Sequence, residues 1–147
     1  MEKLKVICND PNCMPERSHR TDAGLDLRAA KSVTLKWDTP EFVSTGIQVE
    51  IPEGFVGFVF ARSGLAIKKG ITLTNGVGVI DSGYRGEIIC ALTYRNPKRC
   101  SGTYVIKQYD RIAQLVITPI AIPTPMLVKM LSNSNRGEGG FGSTGNG

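Results

Sequence analysis

Residues 41–60 read EFVSTGIQVEIPEGFVGFVF, and this stretch decides the fold class. Residues 41–43 and 47–51 alternate apolar with polar side chains or carry β-branched ones, which is typical of strands. Residues 52–54, Pro-Glu-Gly, have the composition of a turn, and residues 55–60 continue as an apolar strand. The stretch therefore predicts short strands joined by tight turns.

The same pattern extends along the chain in both directions. Residues 8–21, with two prolines and several polar residues, predict a loop, and residues 63–69 are the best candidate for a short helix. Many short strands with frequent turns predict an all-β sandwich, barrel or jelly-roll. The further predicted strands are residues 1–7, 25–28, 33–35, 71–73, 77–80, 87–94, 102–106, 112–117 and 126–130.

Length and composition predict one globular domain with a basic surface. The chain has 147 residues, of which 41% are hydrophobic, so it is long enough to bury a core. Its formal net charge of +5 suits a polyanionic partner, either nucleic acid or a phosphorylated small molecule. A soluble protein that is basic for no functional reason is an equally good interpretation of the charge alone.

Several chemistries are excluded by residue counts. One histidine, His19, cannot build a three-histidine zinc site, and its loop position indicates a solvated side chain. No leader segment or long apolar run is visible, which predicts a cytoplasmic protein, or a nuclear one if the source is eukaryotic or viral. We therefore expect free thiols and no zinc site at the four cysteines, which form no C-x-x-C pair: Cys8, Cys13, Cys90 and Cys100.

The last part of the chain differs in composition. Residues 132–147 are rich in glycine and polar residues, so we expect a domain over residues 1–131 followed by a flexible tail. Residues 137–144 have phosphate-loop spacing, but the lysine is missing and no helix follows. The alternative to a disordered terminus is nucleotide binding, because the tail carries Arg136, Phe141, Ser143 and Thr144.

Three clusters in the domain have both a structural and a functional interpretation. Residues 62–65, Arg-Ser-Gly-Leu, follow an apolar strand and form either a capped helical turn or an anion site. Asp81 follows three apolar residues, which indicates the end of a buried strand, and it is either a turn residue or a functional carboxylate. Asn75 begins a predicted hairpin or bulged turn, and Gln114 interrupts an apolar strand, where its amide needs partners.

Five segments together resemble the trimeric dUTP diphosphatase (dUTPase) family. They occur in the family's order and with similar spacing, whereas any one of them alone is weak. The segments are residues 23–27 (AGLDL), 62–66 (RSGLA), 78–86 (GVIDSGYRG), 110–115 (DRIAQL) and 136–145 (RGEGGFGSTG).

The resemblance implies a fold and an activity. The fold would be a distorted β jelly-roll, or β-clip barrel, in a homotrimer whose three sites lie between subunits, each closed by a neighbour's residues 132–147. The activity would be Mg²⁺-dependent hydrolysis of dUTP to dUMP and pyrophosphate, which limits uracil incorporation into DNA and supplies dUMP for thymidylate synthesis. No membrane and no nucleic acid partner is expected, and Mg²⁺ would be held by the substrate phosphates and waters.

The resemblance also implies residue roles. Asp81 matches the aspartate that deprotonates the water attacking the α-phosphorus, and Tyr84 matches the ring that packs on the deoxyribose. Asp26 matches an aspartate near the water shell of the metal, and it also holds the site together. The matched catalytic group is Asp81, Asp26, Arg62 and Gln114. The matched substrate-binding residues are Asn75, Gly78, Val79 and Ile80 for uracil, Arg62, Ser63, Gly64 and Gln114 for the phosphates, and Arg136, Phe141, Gly142, Ser143 and Thr144 from the tail.

Three positions depart from the family pattern, and two rival functions stay open. Ala61, Gly83 and Tyr109 stand where proline, an acidic residue and glycine are common in the family. A related dCTP deaminase would have serine after the Ser63 position, where this chain has Gly64. The other rival is a family member that acts as a binding or regulatory partner.

Overall fold

The computed structural model describes residues 3–95, 98 and 100–140 of the chain. Within them the chain forms ten strands, one α-helix and one 3-10 turn, so the architecture is all-β, as predicted. The helix, α1, is Ser63–Lys69, in the predicted position, and it ends at Gly70, whose φ of 68° is the left-handed C-cap conformation. The strands are β1 (Lys5–Cys8), β2 (Leu25–Arg28), β3 (Val33–Lys36), β4 (Glu41–Glu50), β5 (Phe55–Ala61), β6 (Ile71–Leu73), β7 (Val77–Ile80), β8 (Glu87–Tyr94), β9 (Thr103–Ile106) and β10 (Arg111–Pro119).

The strands form three antiparallel sheets around one core. The sheet orders are β1-β4-β8-β6, β2-β10-β5-β7 and β3-β9. Alternation along the strands turns one side chain in two inward, and fully buried examples are Leu27, Leu35, Val43, Leu92 and Leu115. Because strands that are distant in sequence pair with one another, the jelly-roll holds the predicted functional segments at the ends of neighbouring strands.

One predicted interruption in the chain is absent. Residues 41–43 and 47–51 were predicted as separate strands, but they belong to a continuous β4 whose register against β8 shifts between Ser44 and Gln48. Gly46 adopts a φ of 70° in that bulge, and its N–H donates to Glu87 Oε1 at 2.8 Å. The carboxylate takes the place of a ladder partner, so the bulge bends the strand without ending it.

The strand predicted at residues 126–130 is wrong for the single chain. This segment has no regular secondary structure and pairs with no strand among the described residues. A strand requires a neighbour for its N–H and C=O groups, and the pattern of apolar residues does not reveal whether one exists. The apolar side chains there are exposed, including Met126, Leu127, Met130 and Leu131.

The loop predicted for residues 8–21 contains regular structure that the sequence did not indicate. A 3-10 turn spans Pro11–Cys13, and Asp10 caps it by accepting the Asn12 N–H at 3.0 Å. Cys13 is 1% exposed and anchors the turn to the core. A 3-10 turn of three residues is too short to show a helical period, so the segment was predicted to be a loop from its prolines.

Of the two forms predicted around Asn75, a hairpin or a bulged turn, the hairpin is wrong. β6 pairs with β8 in one sheet, whereas β7 pairs with β5 in another, so the turn at Asn75 carries the chain between sheets. β7 is an edge strand and is not buried, since Val77 and Val79 are 40% and 60% exposed. The expectation that Asp81 ends a buried strand therefore does not hold for the single chain.

In the described part of the chain, no helix is both long and apolar enough to cross a membrane. The four cysteines, all of them described, are free thiols that differ in burial. Burial alone raises the pKa of Cys90 to about 12, whereas Cys100 is exposed.

These burial differences predict ordered thiol reactivity. At about pH 8 we expect iodoacetamide to modify Cys100 first, and Cys90 more slowly by roughly three orders of magnitude, because the buried thiol is scarcely ionised. Peptide mass spectrometry of timed samples measures both rates. Equal rates in the folded protein would contradict the burial of Cys90, and unfolding in urea should make them equal.

Candidate active site

A polar cleft of about 370 Å³ opens where β2, β10 and the start of α1 meet. In the antiparallel register Gln114 lies opposite Asp26 on one side and Phe60 on the other, so Asp26 and Gln114 share a face of the sheet. β5 ends at Ala61, which places Arg62 beside that face. The cleft is lined by Ser18, Asp22, Ala23, Gly24, Asp26, Arg62, Ser63, Gly64 and Gln114.

Asp26 is the electrostatic centre of this cleft. Its Oδ1 forms an ion pair with Arg62 Nε at 2.9 Å, and its Oδ2 accepts a hydrogen bond from Arg111 Nη1 at 3.0 Å. The Asp26 side chain is 13% exposed, against 28% for Arg62 and 40% for Arg111. Because both oxygens are engaged by guanidinium groups, Asp26 fixes two cations, of which Arg62 lines the cleft.

The start of α1 forms the other wall. Arg62 is the N-cap, and no side chain caps the helix, so the capped-turn interpretation of residues 62–65 is not supported. The Arg62 carbonyl accepts the Ala66 N–H at 2.9 Å, which leaves the amides of Ser63 and Gly64 without a partner inside the helix. These amides, the Ser63 hydroxyl and the Arg62 guanidinium are all donors, as a phosphate requires.

Gln114 is fixed by a close approach of the backbone. Its Nε2 donates to the Ala61 carbonyl at 3.4 Å. A Cβ on Gly24 would lie 2.4 Å from Gln114 Oε1 and 3.1 Å from Gln114 Cβ. Glycine at position 24 is therefore what allows the Gln114 amide to lie in the cleft.

Gly24→Ala is expected to displace the Gln114 amide without unfolding the protein, because the far end of a flexible side chain can move. We expect KM for a nucleoside triphosphate to rise about tenfold, corresponding to the loss of roughly one hydrogen bond, while Tm changes by only a few degrees. Steady-state kinetics and a thermal melt measure the two effects. An unchanged KM would mean that Gln114 does not contact the substrate.

A second, smaller cleft of about 190 Å³ lies at the end of β7 and is lined by Val79, Ile80, Asp81, Tyr84, Glu87, Ile88 and Ile89. Asp81 and Tyr84 close a turn in which the Tyr84 N–H donates to the Asp81 carbonyl at 3.0 Å. Arg85 Nη1 braces this turn by donating to the Ser82 carbonyl at 2.6 Å. Asp81 is exposed, so its carboxylate is accessible to water and to a ligand.

Tyr84 is held flat against the backbone beside Asp81. Its hydroxyl donates to the Glu87 carbonyl at 3.0 Å. A Cβ on Gly86 would lie 2.4 Å from the Tyr84 hydroxyl oxygen and 2.6 Å from Cζ, so glycine at position 86 makes room for the ring. The ring thus has one fixed orientation and is 44% exposed next to the carboxylate.

The two clefts share no residue and lie far apart in one chain. Gly57 pairs with Ile80 in the antiparallel β5–β7 pair, so Val56 lies opposite Asp81. Arg62 comes six residues after Val56, just past the end of β5. Six residues of extended chain span about 20 Å. A general base must be within hydrogen-bond reach of the water that it activates, so Asp81 cannot act at a phosphate held by Arg62 of the same chain.

Three predicted residues that the structure describes, Asn75, Gly78 and Arg136, line neither cleft. Asn75 is exposed on the turn between sheets, and a Cβ on Gly78 would lie 3.1 Å from Val59 Cβ, so Gly78 also serves the packing of β7 on β5. Arg136 is exposed and its Nε donates to the Gly139 carbonyl at 2.8 Å. Phe141, Gly142, Ser143 and Thr144 lie outside the described residues.

Two residues that line the larger cleft, Ser18 and Asp22, were not predicted from the sequence, nor was Arg111, which contacts Asp26 without lining the cleft. Arg111 could have been found, since it belongs to the 110–115 segment next to Gln114. Ser18, whose Oγ accepts from Arg111 Nη1 at 3.0 Å, and Asp22, whose Oδ2 accepts the His19 N–H at 2.8 Å, lie in a loop without a periodic pattern. Only the fold brings that loop to the cleft.

The cleft is suited to a hard cation that arrives with its ligand. Within the described ranges, no group of three His, Cys, Asp or Glu side chains forms a metal cage. Apart from the Arg62 guanidinium, the polar groups that line the cleft are mainly oxygens and amides. Both oxygens of Asp26 are already engaged by arginines. Mg²⁺, which keeps several waters and prefers phosphate oxygens, fits such a site better than zinc does.

Comparison with known proteins agrees with this geometry. The family model described as dUTPase matches residues 10–145. A deoxyuridine 5'-triphosphate nucleotidohydrolase of Leifsonia xyli is 46% identical over 132 residues, which cover 90% of this chain and 85% of that protein. One of Clostridium tetani is 41% identical over 97% of this chain and 95% of its own length.

Solved structures with the same fold include complexes and a metal-containing form. The dUTPase of Staphylococcus bacteriophage 80alpha with dUPNHPP superposes with a TM-score of 0.87 at 34% identity, covering 99% of this chain and 100% of that one. A dUTPase mutant from phage phi11 of S. aureus, described with a structural Mg(II) ion, has a TM-score of 0.77 at 32% identity, covering 88% and 98%. The chain belongs to the dUTPase family.

Proposed function

We propose that this chain hydrolyses dUTP to dUMP and pyrophosphate at sites shared between subunits of a homotrimer. The observation that carries this proposal is that the two clefts of this dUTPase family member hold different groups. The larger cleft holds hydrogen-bond donors for phosphates, and the smaller one holds a carboxylate beside an aromatic ring. The direct test is pyrophosphate release from dUTP compared with dCTP, dTTP and UTP. Ammonia release from dCTP would instead identify a deaminase.

The chemical step begins at Asp81. Its carboxylate accepts a proton from a water molecule whose oxygen attacks the α-phosphorus, and the bond from that phosphorus to the α–β bridging oxygen breaks. The electron pair leaves with that oxygen as pyrophosphate, and dUMP carries the oxygen of the water. An exposed carboxylate at the end of an edge strand can reach a ligand bound by another subunit, which supports this role.

The phosphates occupy the larger cleft. Arg62, Ser63, Gly64 and Gln114 donate to their oxygens, and Asp26 keeps the Arg62 guanidinium in place. Asp22 and Asp26 would contact waters of a Mg²⁺ ion held by the phosphates, which when bound would neutralise their charge. Contact through waters agrees with the two arginine contacts of Asp26, because they leave it no free oxygen to bind a metal directly.

The trimer is supported by the separation of the clefts and by exposed apolar surface. About 20 Å of extended strand between Asp81 and Arg62 means that a complete site needs Asp81 from one subunit and Arg62 from another. Ile122, Met126, Leu127 and Leu131 are exposed in a segment that pairs with no strand in the described part of its own chain. A segment of this kind is expected to pack on a neighbouring subunit.

Residues 132–147 act as a lid over a neighbour's site. Arg136 is exposed, and its one side-chain hydrogen bond among the described residues is to the Gly139 carbonyl of its own turn, so its guanidinium is available to a phosphate. Phe141 would stack on uracil, and Gly142, Ser143 and Thr144 would donate to phosphates. Closing the lid would exclude water other than the nucleophile.

Tyr84→Ala is expected to weaken discrimination against UTP. The ring occupies the space that a 2′-hydroxyl needs, so its removal should lower the dUTP-to-UTP ratio of kcat/KM about tenfold or more. Tyr84→Phe is the matched control, since it keeps the ring and loses only the bond to the Glu87 carbonyl. The two ratios come from competing-substrate kinetics, and equal ratios for wild type and Tyr84→Ala would remove Tyr84 from sugar selection.

A further inference from the structure

Tyr109 occupies a backbone conformation that disfavours its side chain. Its φ is 70°, in the left-handed region where glycine is the usual residue. Of the non-glycine residues described, only Asp38 shares a positive φ. A bulky residue kept there indicates that its side chain makes an interaction that glycine could not.

That interaction is a hydrogen bond across the fold. The Tyr109 hydroxyl donates to Asp10 Oδ2 at 2.8 Å. The Tyr109 N–H donates to the Ala29 carbonyl at 2.8 Å, so the backbone of the residue is fixed on β2 and its ring reaches out to the N-terminal loop. Arg28 Nη1 donates to the Tyr109 carbonyl at 3.2 Å and secures the same turn.

Asp10 begins the loop of residues 10–24, which forms one wall of the larger cleft. Its Oδ1 accepts the N–H and the side-chain amide of Asn12, each at 3.0 Å, so one carboxylate caps the 3-10 turn and receives Tyr109. Past Cys13, the chain continues to Ser18, Asp22 and Gly24, which line the cleft.

Further along, two arginines bind the same loop. Arg111 Nη1 donates to Ser18 Oγ at 3.0 Å, and Arg28 Nη2 pairs with Glu16 at 2.5 Å. The loop is therefore anchored at Asp10, Glu16 and Ser18. Tyr109, in the turn before β10, supplies the first anchor, and Arg111, the first residue of β10, supplies the last.

We propose that Tyr109 is a positioning residue that sets the phosphate affinity of the larger cleft by anchoring the loop of residues 10–24 through Asp10. The inference rests on the proposed function for its kinetic consequences, but the anchoring itself does not. Loss of the anchor loosens the wall that carries Ser18, Asp22 and Gly24, whereas the Asp81 cleft keeps all of its contacts. Binding should therefore weaken while the chemical step is retained.

The test compares Tyr109→Phe with Tyr104→Phe in the full-length protein. Both changes remove one hydroxyl from a half-buried ring, but the Tyr104 hydroxyl makes no hydrogen bond within the described ranges. We expect Tyr109→Phe to raise KM for dUTP about three- to tenfold with kcat nearly unchanged, and to weaken binding of inorganic pyrophosphate by a similar factor. Tyr104→Phe should match wild type in both.

Two measurements separate anchoring from a general loss of stability. Hydrogen–deuterium exchange of residues 14–24 should accelerate in Tyr109→Phe and not in Tyr104→Phe. Asp10→Ala should raise KM, and adding Tyr109→Phe to it should change KM no further, because the partner is already gone. Additive effects, an unchanged KM or unchanged exchange would overturn the inference, as would a fall in kcat at constant KM.

Failure of the proposed function would look different. If the wild-type protein releases no pyrophosphate from dUTP, the function is wrong, yet exchange of residues 14–24 and pyrophosphate affinity still decide whether Tyr109 anchors the loop. Even if the protein does not hydrolyse dUTP, faster exchange and weaker pyrophosphate binding in Tyr109→Phe would support the inference. Wild-type behaviour in both assays refutes it.

Discussion

Asp81→Asn is expected to lower kcat for dUTP by about 10²- to 10⁴-fold, the usual contribution of a positioned general base. An amide cannot accept the proton of the attacking water, but it has nearly the same shape as the carboxylate. The turn in which the Tyr84 N–H donates to the Asp81 carbonyl uses only backbone atoms and should persist. KM should therefore change little, and the loss should appear in kcat.

Pyrophosphate release under single-turnover and steady-state conditions measures the effect of Asp81→Asn. Asp38→Asn is a suitable control, because Asp38 is an exposed carboxylate paired with Arg95 and belongs to neither cleft. We expect the control to retain wild-type kcat. Undiminished turnover in Asp81→Asn would show that another group activates the water, and the assignment of Asp81 would have to be withdrawn.

Mixed trimers of Asp81→Asn and Arg62→Gln subunits are expected to recover activity that neither variant has alone. Each subunit supplies one intact cleft, so a site between a subunit with Asp81 and a neighbour with Arg62 is complete. In a closed ring of three, every mixed trimer holds one such site, and random assembly of equal amounts leaves about a quarter of all sites intact. Activity should reach about a quarter of the wild-type value in the unfractionated mixture and about a third in purified mixed trimers, in which one site of three is intact.

Co-expression of two differently tagged chains and purification through both tags provide the mixed trimers. Arg62→Gln keeps the length of the side chain, and Asp26 retains Arg111 as a partner, which limits damage to the cleft. The matched control places both substitutions in one chain and mixes it with an equal amount of wild type, which should leave about a quarter of the sites intact if each site is shared and about a half if each site lies in one chain. Mixed trimers with no recovered activity would place Asp81 and Arg62 of the same chain in one site.

Local patterns explain why much of the fold was predictable. β7 and β8 begin and end at the residues that alternation and the flanking glycines indicate, and α1 spans the predicted residues 63–69. The errors occurred in segments whose secondary structure depends on a partner strand or side chain that is distant in sequence. Residues 126–130 have the composition of a strand but no partner strand among the residues that the structure describes, and β4 continues through Gly46 because Glu87 bonds to the bulge.

The candidate site shows the same limit. Resemblance to the dUTPase family identified Asp26, Arg62, Ser63 and Gln114, and the structure brings them together. Arg111 and Ser18 were missed because their contact with Asp26 depends on strand register and on a loop that folds back from distant sequence. The anchoring of that loop by Tyr109 was likewise invisible, since the two bonded residues are 99 positions apart.

The sequence by itself determined the all-β class, the family, and the residue types available for the chemistry, because periodicity and ordered motifs are properties of neighbouring residues. Tertiary structure alone decided how those residues are grouped. Antiparallel pairing placed Asp26 opposite Gln114 and put Asp81 about 20 Å from Arg62 along the β5–β7 pair. Register and sheet order depend on contacts between distant segments, and they divide the predicted residues into two incomplete clefts.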